Sequence, residues 1–263
     1  MQELAVPLKN YSGISPAGIE SNSNFFIQFS DALDPFFVRK IPTWKRAMDI
    51  IGSLVGLILF APIFLLISSI IKIVSPGPVF FRQARIGYGE KKFTFTKFRT
   101  MKINSDTSVH QQYYCSLIKG NDDHCSVMSK LDDSNPQIIA FGKLLRKTYL
   151  DELPQFINVL RGEMSLVGPR PPIPYEVAEY IKWHNGRFDA IPGMTGLWQV
   201  SGKNKLSFQE MVRLDISYSR NLSFFGDLKI LLRTPPAILL ELIESLRTKL
   251  MRRIIDSGFN IPG

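Results

Sequence analysis

Apolar and charged positions are unevenly spread along this chain. From Ile50 to Ile71 there are 22 consecutive residues without a charged side chain. As an α-helix the run is about 33 Å long, enough for the hydrocarbon core of a bilayer. Helices buried in soluble cores are usually shorter and keep a polar face, so the pattern favours a membrane helix. Pro62 interrupts the run. Its ring crowds the carbonyl of Ile58 and it has no N–H to donate, so a kink near Ala61 is expected. Neither half is then long enough to cross alone. Arg39, Lys40, Lys45 and Arg46 precede the run, and Lys72, Arg82, Arg85, Lys91 and Lys92 follow it. Basic flanks stay on the cytoplasmic side. Two of them around a kinked apolar run predict a re-entrant helix that enters and leaves on one face. A straight crossing is the alternative.

The remaining pattern predicts short elements. Residues 1–38 show no persistent period, and Ser, Asn, Gly and Pro dominate 10–24, which reads as a weakly ordered arm. No basic segment leads into an apolar core there, so the arm does not read as a signal peptide. Ser75-Pro76-Gly77-Pro78 is a stiff turn. Alternation through Lys92-Phe93-Thr94-Phe95-Thr96-Lys97-Phe98 predicts a strand or hairpin. Residues 103–136 are polar and read as a surface insertion. A helix, a break and a second helix starting near Asp151 fill 137–165. A rigid loop spans Pro169 to Pro174, and helices are expected from Pro174 to Trp183 and from Ser207 to Tyr218. From Pro236 to Ile255, Leu239, Leu242, Ile243, Leu246 and Leu250 alternate with Arg247, Lys249, Arg252 and Arg253, as in a basic interfacial helix. The expected organisation is an arm (1–40), a membrane helix (41–75), a catalytic domain (76–236) and a tail (237–263). The fold class is α+β, mostly helical with a few short strands.

Composition narrows the partners. The 263 residues carry a net charge of +9, yet residues 1–38 hold Lys9 against Glu3, Glu20, Asp31 and Asp34. The positive charge thus belongs to the part with the apolar run, and it should seek phosphates or anionic lipid. Nucleic acid is not the expected partner, because the basic residues flank the apolar run and proline loops and do not line a helix with interleaved aromatics. With 19 Phe and 2 Cys, neither a disordered chain nor a disulfide scaffold fits. His110, Cys115, His124 and Cys125 match no metal-ligand spacing.

Three stretches could carry chemistry. In Asp151-Glu152-Leu153-Pro154-Gln155, proline is accepted in a helix only within the first turn. That reading puts Asp151 near the N-cap and Glu152 at the first helical position, where exposed N–H groups favour anions and depress a carboxyl pKa. Adjacent carboxylates near Arg146 and Lys147 suit a nucleophile with an acid/base or metal-ligand partner. A plain Asp cap followed by a first-turn Glu is the alternative. In Gly168-Pro169-Arg170-Pro171-Pro172, prolines restrain the backbone around Arg170, so its guanidinium loses little freedom on a phosphate. In the stretch from Pro192 to Asn204, glycines allow backbone to approach a ligand, while Trp198, Gln199, Lys203 and Asn204 supply stacking and hydrogen bonds. The spacing is not that of a Walker loop.

Taken together these motifs resemble the bacterial sugar transferases, the monotopic phosphoglycosyl transferases acting on polyprenyl phosphate. The resemblance runs from about Lys45 to Ile238. It rests on Lys45-Arg46-x-x-Asp49, the Pro-interrupted run, Phe80-Phe81-Arg82-Gln83 and Lys97-Phe98-Arg99-Thr100-Met101. It continues through Leu145-Arg146-Lys147-Thr148-x-x-Asp151-Glu152-Leu153-Pro154-Gln155, Met164 to Pro171, Pro192 to Gly196 and Arg213-Leu214-Asp215. The resemblance implies a catalytic dyad of Asp151 and Glu152. Asp151 would attack the β-phosphate of a UDP-sugar, release UMP and hold the phosphosugar until polyprenyl phosphate takes it. Mg²⁺ or Mn²⁺ would sit at Asp151, and Arg146, Arg170 and Lys97 would hold phosphate. Asp215 matches a family position near the site and joins Gln199, Lys203 and Asn204 as a nucleotide-sugar contact. Many relatives carry Arg where Lys203 stands, and Lys is a point charge rather than a fork. The implied location is the bacterial inner membrane, with the catalytic domain on the cytoplasmic face. The insertion at 103–136 is a candidate lid or homodimer contact. The implied reaction initiates exopolysaccharide, capsule, O-antigen or other glycan assembly. A catalytically silent membrane scaffold is the competing reading.

Overall fold

A computed structural model describes residues 40–103, 105, 108–118, 135–202 and 206–256. The expectations for the arm, for most of the insertion and for Lys203 and Asn204 lie outside these residues. The chain divides into the units Met1–Lys40 and Ile41–Gly263, and the architecture described is that of the second.

Helix α1 (Thr43–Val74) is 32 residues long and contains Pro62. The chain stays helical through the proline, so the expected hairpin does not appear as a break in the element. The reason is packing on both sides of Pro62. Lys45, Asp49, Ser53, Gly56, Ile67 and Ile71 are buried, and Phe60 and Phe64 lie between them against the core. These positions recur every three or four residues and form one stripe. Polar and small residues make its first half, aliphatic and aromatic residues its second. Gly56 is required by close approach, since a Cβ there would lie 2.7 Å from Phe156 Cζ. Outside the stripe the helix is apolar and exposed, as at Ile51, Leu54, Val55, Ile58, Leu59, Leu65 and Leu66.

The expected hairpin forms from β1 (Phe80–Ile86) and β2 (Lys92–Phe98), antiparallel, with Phe81 opposite Lys97. After α2 (Ser108–Ile118) come α3 (Gly142–Lys147), a 3-10 turn (Leu150–Glu152) and α4 (Gln155–Arg161). A second, parallel pair, β3 (Ser165–Val167) with β4 (Gly193–Thr195), was not legible in the sequence. Three-residue strands are too short to show a period. Between them lie the one-turn α5 (Pro174–Val177) and a 3-10 segment (Lys182–Asp189), where a single helix was expected. Helix α6 (Phe208–Arg220) starts where expected, with Ser207 and Glu210 forming a capping box.

The last helix, α7 (Phe224–Asp256), begins well before Pro236 and runs through Pro235 and Pro236. Buried Asp227 and Ile230 anchor its first turns in the domain. Each of the two prolines forfeits one helical hydrogen bond, because it has no N–H to donate. Further along, Leu239, Leu240, Ile243, Leu246 and Leu250 are exposed. One core joins Phe95, Val159, Met164, Val167, Tyr218 and Ile230. A second joins Ile67 and Ile71 of α1 to Phe98, Ile139, Leu145 and Leu153.

Candidate active site

The second core shapes the acidic turn. Leu145 at the end of α3, then Leu150 and Leu153, point into it. Tyr149 reverses the chain between them with φ 57°, in the left-handed region. The turn is thereby drawn inward, and Asp151 is only 5% exposed. Helix α4 follows, with Pro154 as its N-cap. Asn158 ties α4 to β2: its Nδ2 donates to Thr94 O at 2.7 Å and its Oδ1 accepts from Thr96 N at 3.1 Å. Lys97 is the next residue of that strand.

This corrects the helix-start reading. Asp151 and Glu152 lie in the 3-10 turn, four and three residues before the first residue of α4. Pro154 stands just before the first helical residue, where its missing N–H has no helical partner to lose, so the helix starts downstream of the carboxylates. The expected depression of the Asp151 pKa is also reversed. Burial first, and the Glu152 charge second, push Asp151 up to about 7, against the pull of Lys97 and Arg146. Burial lowers the Lys97 ammonium from its ordinary value, with Asp151 opposing that shift. The structure thus brings Asp151, Glu152, Lys97 and Arg146 into one electrostatic cluster. Lys97 also lies over the Phe81 ring, 5.3 Å from its centroid.

Arg170 lies on the proline loop after β3. It is half-buried, and its Nη2 is 3.5 Å from Tyr114 Oη. Arg85 of β1 is the electrostatic link between the loop and the acidic turn. Burial and the Arg170 charge lower Arg85 to about 10, and Arg85 in turn acts on Lys97. In the sequence Arg85 is one member of the basic flank that follows the apolar run. The register of β1 against β2, which puts it beside Phe93 of the partner strand, appears only after folding.

The glycine-rich stretch behaves differently from its expected role. Gly193 and Gly196 let backbone approach backbone: a Cβ at Gly196 would overlap Gly168 O, and a Cβ at Gly193 would overlap Gly168 N. Trp198 is buried, so its ring does not offer a stacking face to a nucleotide. Gln199 is half-buried, with Oε1 unpartnered among the described atoms. Asp215 is 1% exposed, and its Oδ2 accepts from Arg187 Nη2 at 2.5 Å. Burial pushes the Asp215 carboxyl up to about 6, opposed by Arg187.

Two members of the first basic flank, Lys45 and Arg46, are spent on contacts inside the protein. Lys45 is 2% exposed; its ammonium donates to Asp227 Oδ2 at 2.5 Å, Val167 O at 2.7 Å and Tyr218 Oη at 3.0 Å. Arg46 donates to Val159 O and Leu160 O, both at 2.6 Å, at the end of α4. Asp49 Oδ1 accepts from Ser165 Oγ at 2.8 Å and Leu166 N at 2.9 Å. The available signal was the four-residue spacing of Lys45, Asp49 and Ser53, a polar stripe leading into an apolar helix.

Among the described residues no group of three His, Cys, Asp or Glu side chains gathers to hold a metal by protein ligands alone. Asp151 and Glu152 supply hard carboxylate oxygens. That suits Mg²⁺, which commonly binds through one or two carboxylates and completes its shell with water and substrate phosphates.

A buried Asp151 beside a half-buried Glu152, with the Lys97 and Arg146 charges acting on it, on a domain packed against a long apolar helix, fits a membrane-associated enzyme that handles phosphate. Comparison with known proteins gives the family. Residues 40–241 match the bacterial sugar transferase model, and the chain belongs to that family. It is 38% identical over 197 residues to the exopolysaccharide production protein ExoY of Sinorhizobium fredii, covering 75% of this chain and 86% of that protein. It is 37% identical to the UDP-glucose:undecaprenyl-phosphate glucose-1-phosphate transferase of Caulobacter vibrioides, covering 74% of this chain and 69% of the other. It is 38% identical to the undecaprenyl-phosphate galactose phosphotransferase of Salmonella typhimurium, covering 74% of this chain and 40% of the other.

Proposed function

We propose that the protein transfers a sugar 1-phosphate from a UDP-sugar to undecaprenyl phosphate, giving undecaprenyl diphosphosugar and UMP. The observation that carries this reading is the buried Asp151, beside Glu152 and within reach of the Lys97 and Arg146 charges. The Asp151 carboxylate attacks the β-phosphorus, and the bond to the bridging oxygen breaks as UMP leaves with that electron pair. The enzyme then carries the phosphosugar as an acyl phosphate. An oxygen of undecaprenyl phosphate attacks the same phosphorus, and the carboxylate departs unchanged. A carboxyl titrating near 7 is a stronger base than an ordinary aspartate, which favours the attack. Lys97, Arg146 and Arg170 offset the repulsion between the carboxylate and the diphosphate. Gln199, Lys203 and Asn204 are the proposed nucleotide-sugar contacts. A divalent ion held by Asp151, with Glu152 beside it, would supply further charge neutralisation on the diphosphate.

The same reading places α1 as a re-entrant helix in the inner membrane, with the domain on the cytoplasmic face. Its support is that both ends of α1 engage one domain: Lys45 reaches Asp227 and Val167, while Ile67 and Ile71 pack on Phe98 and Leu153. A helix crossing the bilayer separates its two ends by the thickness of the membrane. The exposed apolar faces of α1 and of α7 suit lipid contact.

The test is UMP release from a panel of UDP-sugars with undecaprenyl phosphate, comparing the wild type with Asp151→Asn. The expected result is release by the wild type for at least one sugar and none by the variant. A wild type that releases no UMP from any of them would favour the scaffold reading.

A further inference from the structure

The loop that carries Arg170 has an unusual backbone problem. Pro169, Pro171 and Pro172 have no N–H, so this segment cannot build its own ladder of hydrogen bonds. Its carbonyls still need donors. Four consecutive carbonyls accept from four separate places. Gly193 N donates to Pro169 O at 2.8 Å, Arg187 Nη2 to Arg170 O at 3.2 Å, Arg85 Nη1 to Pro171 O at 2.8 Å and Ile86 N to Pro172 O at 3.0 Å. Two of the four donors are buried guanidinium groups, each 6% exposed.

The guanidinium groups are themselves held. Arg187 Nη2 also donates to Asp215 Oδ2 and its Nη1 donates to Tyr180 Oη, both at 2.5 Å. Arg85 Nε donates to Gln83 Oε1 at 3.1 Å, and its guanidinium lies 5.0 Å from the Phe95 ring centroid. An arginine fork can satisfy a carboxylate and a carbonyl at once from one rigid planar group. Burying a charge pair is costly unless it is well bonded, and a structural crosslink alone is met more simply by apolar packing.

We propose that Arg187, oriented by Asp215, and Arg85 are positioning residues that set the backbone of the Arg170 loop and so aim the Arg170 guanidinium at the substrate diphosphate. Asp215 thereby acts through Arg187 rather than by touching the nucleotide. The inference rests on the reading that Arg170 holds phosphate.

The experiment is a double-mutant cycle on kcat/KM for the UDP-sugar. Its members are Arg170→Ala, the paired replacement Arg187→Met with Asp215→Leu, and all three together, each with a melting curve. The pair is replaced jointly because removing one partner would strand a buried charge. Arg170→Ala is expected to lower kcat/KM at least about tenfold, the scale of a lost hydrogen bond to a charged group. The paired replacement should cost about 10- to 100-fold in the wild-type background, the scale of a misplacement near the chemistry. In the Arg170→Ala background it should cost less than about threefold, because the group it aims is gone. A loss of equal size in both backgrounds overturns the proposal while leaving Arg170 as a phosphate contact. No loss with Arg170→Ala removes the reading beneath it, and the proposal with it. Should the paired replacement fail to melt cooperatively, the same cycle with Arg85→Lys, which keeps the charge, decides by the same criterion.

Discussion

At Asp151 the decisive quantity is where its proton sits. Burial and Glu152 raise it to about 7, and Lys97 and Arg146 lower it. The attacking form is the carboxylate, so kcat/KM should climb with pH along a limb centred near 7. Glu152→Gln removes a like charge and should move that limb to lower pH. Lys97→Met removes a cation and should move it to higher pH. Residual activity across a pH series reads both shifts, and an unmoved limb in both variants would separate it from Asp151. The stability sign follows from the same shift. The folded value lies above the ordinary 3.8, so ionising Asp151 costs more in the fold than in the unfolded chain. That penalty is absent below 3.8 and complete above about 7. Asp151→Asn should therefore abolish turnover yet melt higher than the wild type at pH 8, with the difference vanishing near pH 4. If the proposed divalent ion shields the diphosphate, EDTA should also stop turnover by the wild type, and added Mg²⁺ should restore it.

At the scale of elements, the contacts that matter most join α1 to the domain. The Lys45–Asp227 pair is almost fully buried on both sides, with the two side chains 3% and 0% exposed. Asp227→Ala should cost about 3–5 kcal/mol, because it leaves a buried ammonium without its carboxylate. Lys45→Met combined with Asp227→Leu should recover most of that loss in thermal melts. Gly56→Val inserts side-chain atoms where Phe156 Cζ already stands 2.7 Å from a bare Cβ. It should cost about 1–3 kcal/mol as overpacking, and an unchanged melting curve would mean that α1 does not pack there.

At the scale of the whole molecule, the question is which side of the membrane each end of α1 occupies. The re-entrant reading requires the segment before Thr43 and the domain after Val74 to share a face. A cysteine at Ser21, in a background lacking Cys115 and Cys125, should resist an impermeant thiol reagent applied to intact cells. Labelling from outside would make α1 an ordinary crossing helix. Pro62→Ala restores a backbone donor in the middle of the run, and some labelling should then appear.

The sequence alone determined what depends on local chemistry. An uncharged run long enough for a bilayer is visible in one dimension, as are a strand hairpin with alternating polarity and the adjacency of Asp151 and Glu152. The family followed from the order of such local motifs. What it could not supply was the environment of each charge. Lys45 and Arg46 read as part of a basic flank, and only folding showed that Asp227, Val159 and Leu160 consume them. Asp151 read as a helix cap with a low pKa, and only the leucines that draw the turn inward made it a buried carboxyl with a high one. Asp215 read as a nucleotide contact, and only its distance to Arg187, 28 residues away, showed whose charge it answers. Burial and long-range pairing are sums over partners distant in the chain, so no window of sequence contains them.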